Sequence, residues 1–97
     1  MNIQENCLLF NKKIIQAGLA IDKFGNAGIR EGKNLFIKPS GVDLEKTNAE
    51  DISVLEISTR KHINGLKPSS DAPTYIEILD RFPEVNAIIH THSLYAT

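Results

Sequence analysis

Only one cysteine, Cys7, occurs in the 97 residues, so no disulfide can form within a single chain. That usage suits a reducing compartment and a cytoplasmic protein. No apolar run approaches the ~20 residues of a membrane span. The first residues lack a charged segment followed by an apolar one, so no secretory leader is expected. An excess of one charge is lacking too. Eleven basic and twelve acidic residues leave a formal −1, and no overall field draws nucleic acid or an anionic membrane. Neither an internal repeat nor a low-complexity tract is evident. What is present, 41% hydrophobic and 24% charged residues, is an ordinary globular composition with the length of one domain at most.

The hydrophobic spacing predicts a helix over residues 3–20, with Ile3, Cys7, Phe10, Ile14 and Ala17 three or four apart. Cys7 lies in that stripe and reads as core. Ala27 to Arg30 and Leu35 to Lys38 read as short strands around a turn at Glu31-Gly32-Lys33-Asn34. Pro39-Ser40-Gly41 ends the second strand. Thr47-Asn48-Ala49-Glu50 matches a capping box opening a single helical turn. Ile52 to Ile57 then fits a strand, with a return strand over 61–64. Residues 67–73 form a loop running into a helix, where Pro73 suits the first turn and Tyr75, Ile78, Leu79 and Phe82 give an apolar face. Val85 to His92 reads as a buried strand apolar on both faces, with neighbours on either side. Ser93 to Thr97 reads as the opening of another helix, so the chain is expected to be the N-terminal part of a larger domain.

Ile88-Ile89-His90-Thr91-His92-Ser93 is the most informative stretch. On a strand, His90 and His92 point the same way. Two adjacent imidazoles make half of a transition-metal site, zinc above all. A catalytic zinc needs three protein ligands, so a third must come from elsewhere. Gly25-Asn26, Ser40-Gly41 and Ser69-Ser70 are small, polar loop pairs that let an anion approach backbone N–H groups and hydroxyls. Each is equally a turn or a cap. Asp71 reads either as an N-cap carboxylate or as an acid/base group beside a metal. His62 reads as a surface residue. Lys38 and Lys67 read as solvated charges, or as cations facing a phosphate.

In order and spacing, these stretches together resemble the class II aldolase/adducin family. The matching residues are Gly25-Asn26, Lys38-Pro39-Ser40-Gly41-Val42-Asp43, Lys67-Pro68-Ser69-Ser70-Asp71 with Pro73-Thr74, Phe82-Pro83, and His90-Thr91-His92-Ser93 with Ala96-Thr97. The resemblance implies an α/β class, an α/β/α three-layer fold with a mostly antiparallel central sheet, present here as a partial domain. It implies a homotetramer with active sites between subunits, and a divalent metal, normally zinc, held by His90, His92 and a third histidine absent from this chain, with Asp71 a possible further ligand. It implies a phosphorylated ketose substrate whose phosphate meets Gly25, Asn26, Ser40, Gly41, Ser69 and Ser70.

The chemistry it implies is a metal-stabilised enolate. A C–C bond is cleaved, and recombination on the other face gives epimerisation. Asp71 is the expected catalytic carboxylate. Asp rather than Glu there resembles the L-ribulose-5-phosphate 4-epimerase branch more than the L-fuculose-phosphate aldolases. A non-catalytic, adducin-like or sugar-phosphate-binding remnant is the further alternative. Gly28 stands where many members carry serine, which removes one possible hydroxyl near the phosphate. With a third ligand missing, the chain alone is expected to have little activity and to self-associate through an uncovered sheet edge.

Overall fold

A computed structural model describes residues 2–17 and 26–90. The predicted helix forms as α1 (Ile3–Gln16), opened by Asn2, whose side chain accepts from Glu5 N. It ends earlier than the hydrophobic pattern suggested, with Ala17 as its C-cap; residues 18–20 lie outside the described residues. β1 (Asn26–Glu31) and β2 (Asn34–Ile37) form the expected hairpin around Gly32-Lys33. β3 (Ser53–Glu56) and β4 (His62–Asn64) make a second hairpin, followed by α2 (Ala72–Arg81) and β5 (Ala87–His90).

The five strands form one antiparallel sheet in the order β4-β3-β2-β1-β5. Strand side chains alternate between faces, and two core clusters follow from that. Phe36 and Val54 join Cys7 and Ile52 beneath α1. Leu35, Ile37, Leu55 and Ile57 join Tyr75, Ile76 and Leu79 of α2. One helix therefore covers each face, which is the expected three-layer α/β/α arrangement.

Two local readings need correction, the capping box and Lys38. The capping box sits one residue later than predicted: Asp51 accepts from Asn48 N, because the Thr47 hydroxyl is turned back to donate to the Asp43 carbonyl. The second neighbour expected for β5 is not among the described residues. There β5 pairs with β1 alone, and Ile89 is 46% exposed; its regular part starts at Ala87, after the turn at residues 82–86. Its outer apolar positions thus have no strand beside them in the described structure. Lys38 is not a solvated charge. It is 3% exposed, because its segment pairs with the loop described below, whereas Lys67 is exposed.

Among the described residues, no helix is long and apolar enough to cross a membrane. Cys7 is fully buried, as its helical position predicted, and burial pushes its thiol up to about 12.

Candidate active site

Two tripeptides of identical sequence build one wall of the site. Lys38-Pro39-Ser40 follows β2, and Lys67-Pro68-Ser69 precedes α2. They pair antiparallel around Pro39 and Pro68. Ser40 N donates to Lys67 O at 2.8 Å, and Ser69 N donates to Lys38 O at 3.1 Å. Proline has no N–H, so each strand-like contact is confined to the residues beside it. The pairing sets Ser40 opposite Lys67 and Ser69 opposite Lys38, at the edge of the sheet where β2 ends. It also commits the Ser40 and Ser69 N–H groups, so hydroxyls rather than those amides would meet an anion there. The repeated tripeptide was the signal for this pairing in the sequence.

Asn26 opens β1 on the same edge. It stands in register with His90, the last described residue of β5. Its side chain is directed to the α2 face, where Asn26 Nδ2 donates to Asp71 Oδ2 at 2.8 Å and to Ser69 Oγ at 3.3 Å. Its Oδ1 is buried with no hydrogen-bond partner. An orphaned buried acceptor is costly. The amide cannot turn over without aiming that oxygen at the carboxylate.

Asp71 stands at the start of α2 but does not cap it. Its side chain makes no cap bond; instead the Ser69 hydroxyl accepts from Asp71 N at 3.2 Å and Ser69 O accepts from Ala72 N. The Asp71 carboxylate is left to the site. There Oδ2 lies 2.6 Å from His90 Nδ1 and also accepts from Asn26. An ionised carboxylate only accepts, so Nδ1 is the donor in such a pair. Carboxylate, imidazole and metal are arranged in this way when a carboxylate orients a ligating histidine. His90 and Asp71 are each partly exposed.

Tyr75, one turn into α2, forms the floor. Its hydroxyl donates to Asn26 O at 3.2 Å, and burial, with the Asp71 charge second, holds the phenol well above its ordinary range. The ring explains Gly28. A Cβ at residue 28 would come within 2.7 Å of Tyr75 Cδ2 and 2.9 Å of Leu35 Cδ1. Packing against Tyr75 and Leu35 is therefore a second consequence of glycine at this position.

Of the predicted residues, the fold brings Asn26, Ser69, Asp71 and His90 into one hydrogen-bonded group; Ser40, Gly41 and Ser70 are outside these bonds, and their part in the site stays an expectation. Gly25 and His92 lie outside the described residues, as do Thr91 and Ser93 to Thr97. Among the described residues no three His, Cys, Asp or Glu side chains cluster as a metal site would require. His62 is exposed, its Nε2 2.8 Å from Asn64 O.

Sequence reasoning passed over Asn11, which is 2% exposed. Its Oδ1 accepts from Ala27 N at 2.7 Å and its Nδ2 donates to Ala27 O at 3.1 Å. The β1–β2 ladder ends at Gly28 and Ile37, and Asn11 pairs the next residue of β1 in place of a strand. A polar residue between Cys7 and Ile14 in the apolar stripe was its sequence signal.

Residues 5–97 match the family described as Class II Aldolase and Adducin N-terminal domain. A curated relative from Mycoplasma pneumoniae, "Probable L-ribulose-5-phosphate 4-epimerase UlaF", is 38% identical over 99% of this chain. The chain spans 41% of that relative's length. Among solved structures, an L-fuculose 1-phosphate aldolase superimposes with TM-score 0.87 at 26% identity, over 97% of this chain and 45% of that one. YgbL from Klebsiella pneumoniae gives TM-score 0.85 at 26% identity, over 96% and 45%.

Proposed function

This chain belongs to the class II aldolase and adducin family, and from that premise we propose that it serves a metal-assisted reaction on a phosphorylated ketose, of the L-ribulose-5-phosphate 4-epimerase kind. The observation that carries the reading is the 2.6 Å contact between Asp71 Oδ2 and His90 Nδ1. It joins the start of α2 to the end of β5, and Asn26 ties Ser69 to the same group.

Among the described residues His90 would supply one ligand to a divalent ion such as zinc. An imidazole whose Nδ1–H is held by a carboxylate presents Nε2 as a ligand, and His92 would be a second donor. When bound, the metal supplies Lewis-acid stabilisation of negative charge on substrate oxygens. The remaining work falls to this chain's residues. The Ser40, Ser69 and Ser70 hydroxyls, with Gly41, hold the phosphate and fix the sugar. Asn26 Nδ2 holds the Asp71 carboxylate in place. Asp71 keeps the proton of His90 on Nδ1 and exchanges a proton with a substrate hydroxyl. Retention and recombination of the cleaved fragments gives the C4 epimer; their release gives aldol cleavage. The aldolase outcome is the second reading, favoured by the TM-score of 0.87 to an L-fuculose 1-phosphate aldolase.

The test is zinc titration of the chain and of the His90→Ala/His92→Ala variant by calorimetry, with L-ribulose 5-phosphate turnover followed alongside. Loss of zinc affinity in the variant is expected. Unchanged affinity makes the histidines structural and ends the proposal. Phosphate protection of Ser69 and Ser70 without metal would instead mark a sugar-phosphate-binding module.

A further inference from the structure

β1 is fastened to α2 at both ends. At the site end, Asn26 Nδ2 donates to Asp71, and Tyr75 donates to Asn26 O. At the other end stands Arg30, on the same face of the strand. Its Nε and Nη2 donate to Val85 O at 3.0 and 2.7 Å, and Nη2 reaches Leu79 O at 2.9 Å and Phe82 O at 3.0 Å. Its backbone N–H donates to Asn86 O at 2.8 Å. Residues 26 to 30 of a strand span roughly 13 Å, and residues 71 to 79 of a helix about 12 Å. The two fastenings are therefore set at matching intervals along strand and helix.

Arg30 also serves elements other than its own. The last carbonyls of α2 have no partner within the helix, and a cation is favoured at that end of the helix dipole. Val85 and Asn86 lead directly into β5. That strand is held by β1 alone among the described residues, through the four pairs from Asn26↔His90 to Ile29↔Ala87. Ile88 packs against the α2 cluster, and His90, two residues on, faces the same way. A slip of one residue would turn Ile89 inward and His90 away from Asp71. The fork of Arg30 on Val85 fixes the point from which the register is counted.

The geometry points to Arg30 as a positioning residue for the Asp71–His90 pair: by clamping the end of α2 to the start of β5, it sets where the carboxylate and the imidazole meet. This rests on reading that pair as the metal-facing site. It assigns a role to a residue remote from the chemistry, acting through both elements that carry it.

The test uses the chain labelled with 15N-histidine. Long-range 1H–15N spectra report which ring nitrogen of His90 carries the proton, and calorimetry reports zinc affinity. Arg30→Met and Arg30→Lys are compared with Arg81→Met, which removes an exposed cation from the same helix end, and with Asp71→Asn. Arg30→Met is expected to lose the Nδ1–H signature and at least about tenfold in zinc affinity, the range for losing an outer-shell partner. Arg30→Lys keeps the charge but not the fork. It is expected to follow Arg30→Met, and it decides the matter if Arg30→Met does not fold. Arg81→Met should match wild type. Wild-type tautomer and affinity in both Arg30 variants, with Asp71→Asn altered, overturns the role of Arg30 alone. If Asp71→Asn also leaves both unchanged, the underlying reading of the site falls.

Discussion

Asn11→Ala should destabilise the protein far more than a polar-to-alanine change on a helix ordinarily does. The side chain is 2% exposed and satisfies both the N–H and the C=O of Ala27. Truncation leaves a buried donor and a buried acceptor unpaired, at about 1–3 kcal/mol each. Its third bond, from Nδ2 to Cys7 O at 2.8 Å, goes to a helical carbonyl that the α1 ladder also uses, so it adds little. Alanine returns about 0.5 kcal/mol in helix propensity. The net loss is roughly 2–5 kcal/mol, a large share of the 5–15 kcal/mol typical of a domain. Asn11→Leu separates packing from hydrogen bonding. It restores volume and apolar contact but no partner for Ala27, so it should recover less than half of the loss. Urea unfolding followed by circular dichroism measures both variants against wild type. A change below about 0.5 kcal/mol in Asn11→Ala, the level of an ordinary surface substitution, would refute the assignment. Because Asn11 Oδ1 accepts the Ala27 N–H, hydrogen exchange at the Ala27 amide should rise in both variants.

Other outcomes follow from the same contacts. Gly28→Ala should cost about 1–3 kcal/mol by overpacking, since its Cβ would meet the Tyr75 and Leu35 side chains; a neutral result in thermal unfolding would contradict that packing. Gly65 has φ +77° and its Cβ would lie 2.0 Å from Ile52 O, whereas Gly32 at φ +60° has nothing within 4 Å. Gly65→Ala should therefore unfold the β3–β4 hairpin region, while Gly32→Asn stays within about 1 kcal/mol of wild type; equal effects in denaturant titration would reject the distinction. Cys7 should resist thiol reagents until the protein unfolds, and fast labelling of the native chain would show otherwise. Its thiol, at about 12 when folded against 9.0 as a reference, stays protonated in the native state after the unfolded chain has lost its proton. Its contribution should then be full below pH 9 and fall by about 1.4 kcal/mol per pH unit from there towards pH 12, with the raised Tyr75 phenol adding a further fall above pH 10. Cys7→Ala should flatten the profile from pH 9 to 10 and make it shallower above, which unfolding at pH 8, 9, 10 and 11 would show.

The hydrophobic periods made the helices and hairpins legible, because α1, α2 and the strand pairs each carry one clear repeat. Boundaries were less legible. Thr47 and Asn48 are both good caps, and only the turn of the Thr47 hydroxyl towards Asp43 decides between them. Which strand flanks β5 on its outer side was not legible, for a physical reason. An apolar run on both faces is what a central strand shows, yet pairing depends on which other strands are present, and residues 87–90 cannot report that. Asp71 was legible as a cap or as a functional carboxylate. The choice between them fell to local geometry and to partners: Pro73 offers a capping carboxylate no N–H, while Asn26 and His90 engage it instead.

By itself the sequence determined which chemistry-bearing residues exist and where they fall: imidazole at the end of a strand, a carboxylate at the start of a helix, small polar residues on the turns. These are local properties, fixed by spacing and side-chain type. Tertiary structure decided what those groups do to one another. Only folding puts Asn26 opposite His90 in register, joins the two Lys-Pro-Ser segments, aims Gly28 at Tyr75, and carries Arg30 to carbonyls some fifty residues away. The reason is that hydrogen bonds act over about 3 Å in space, and chain order says little about which distant groups come that close.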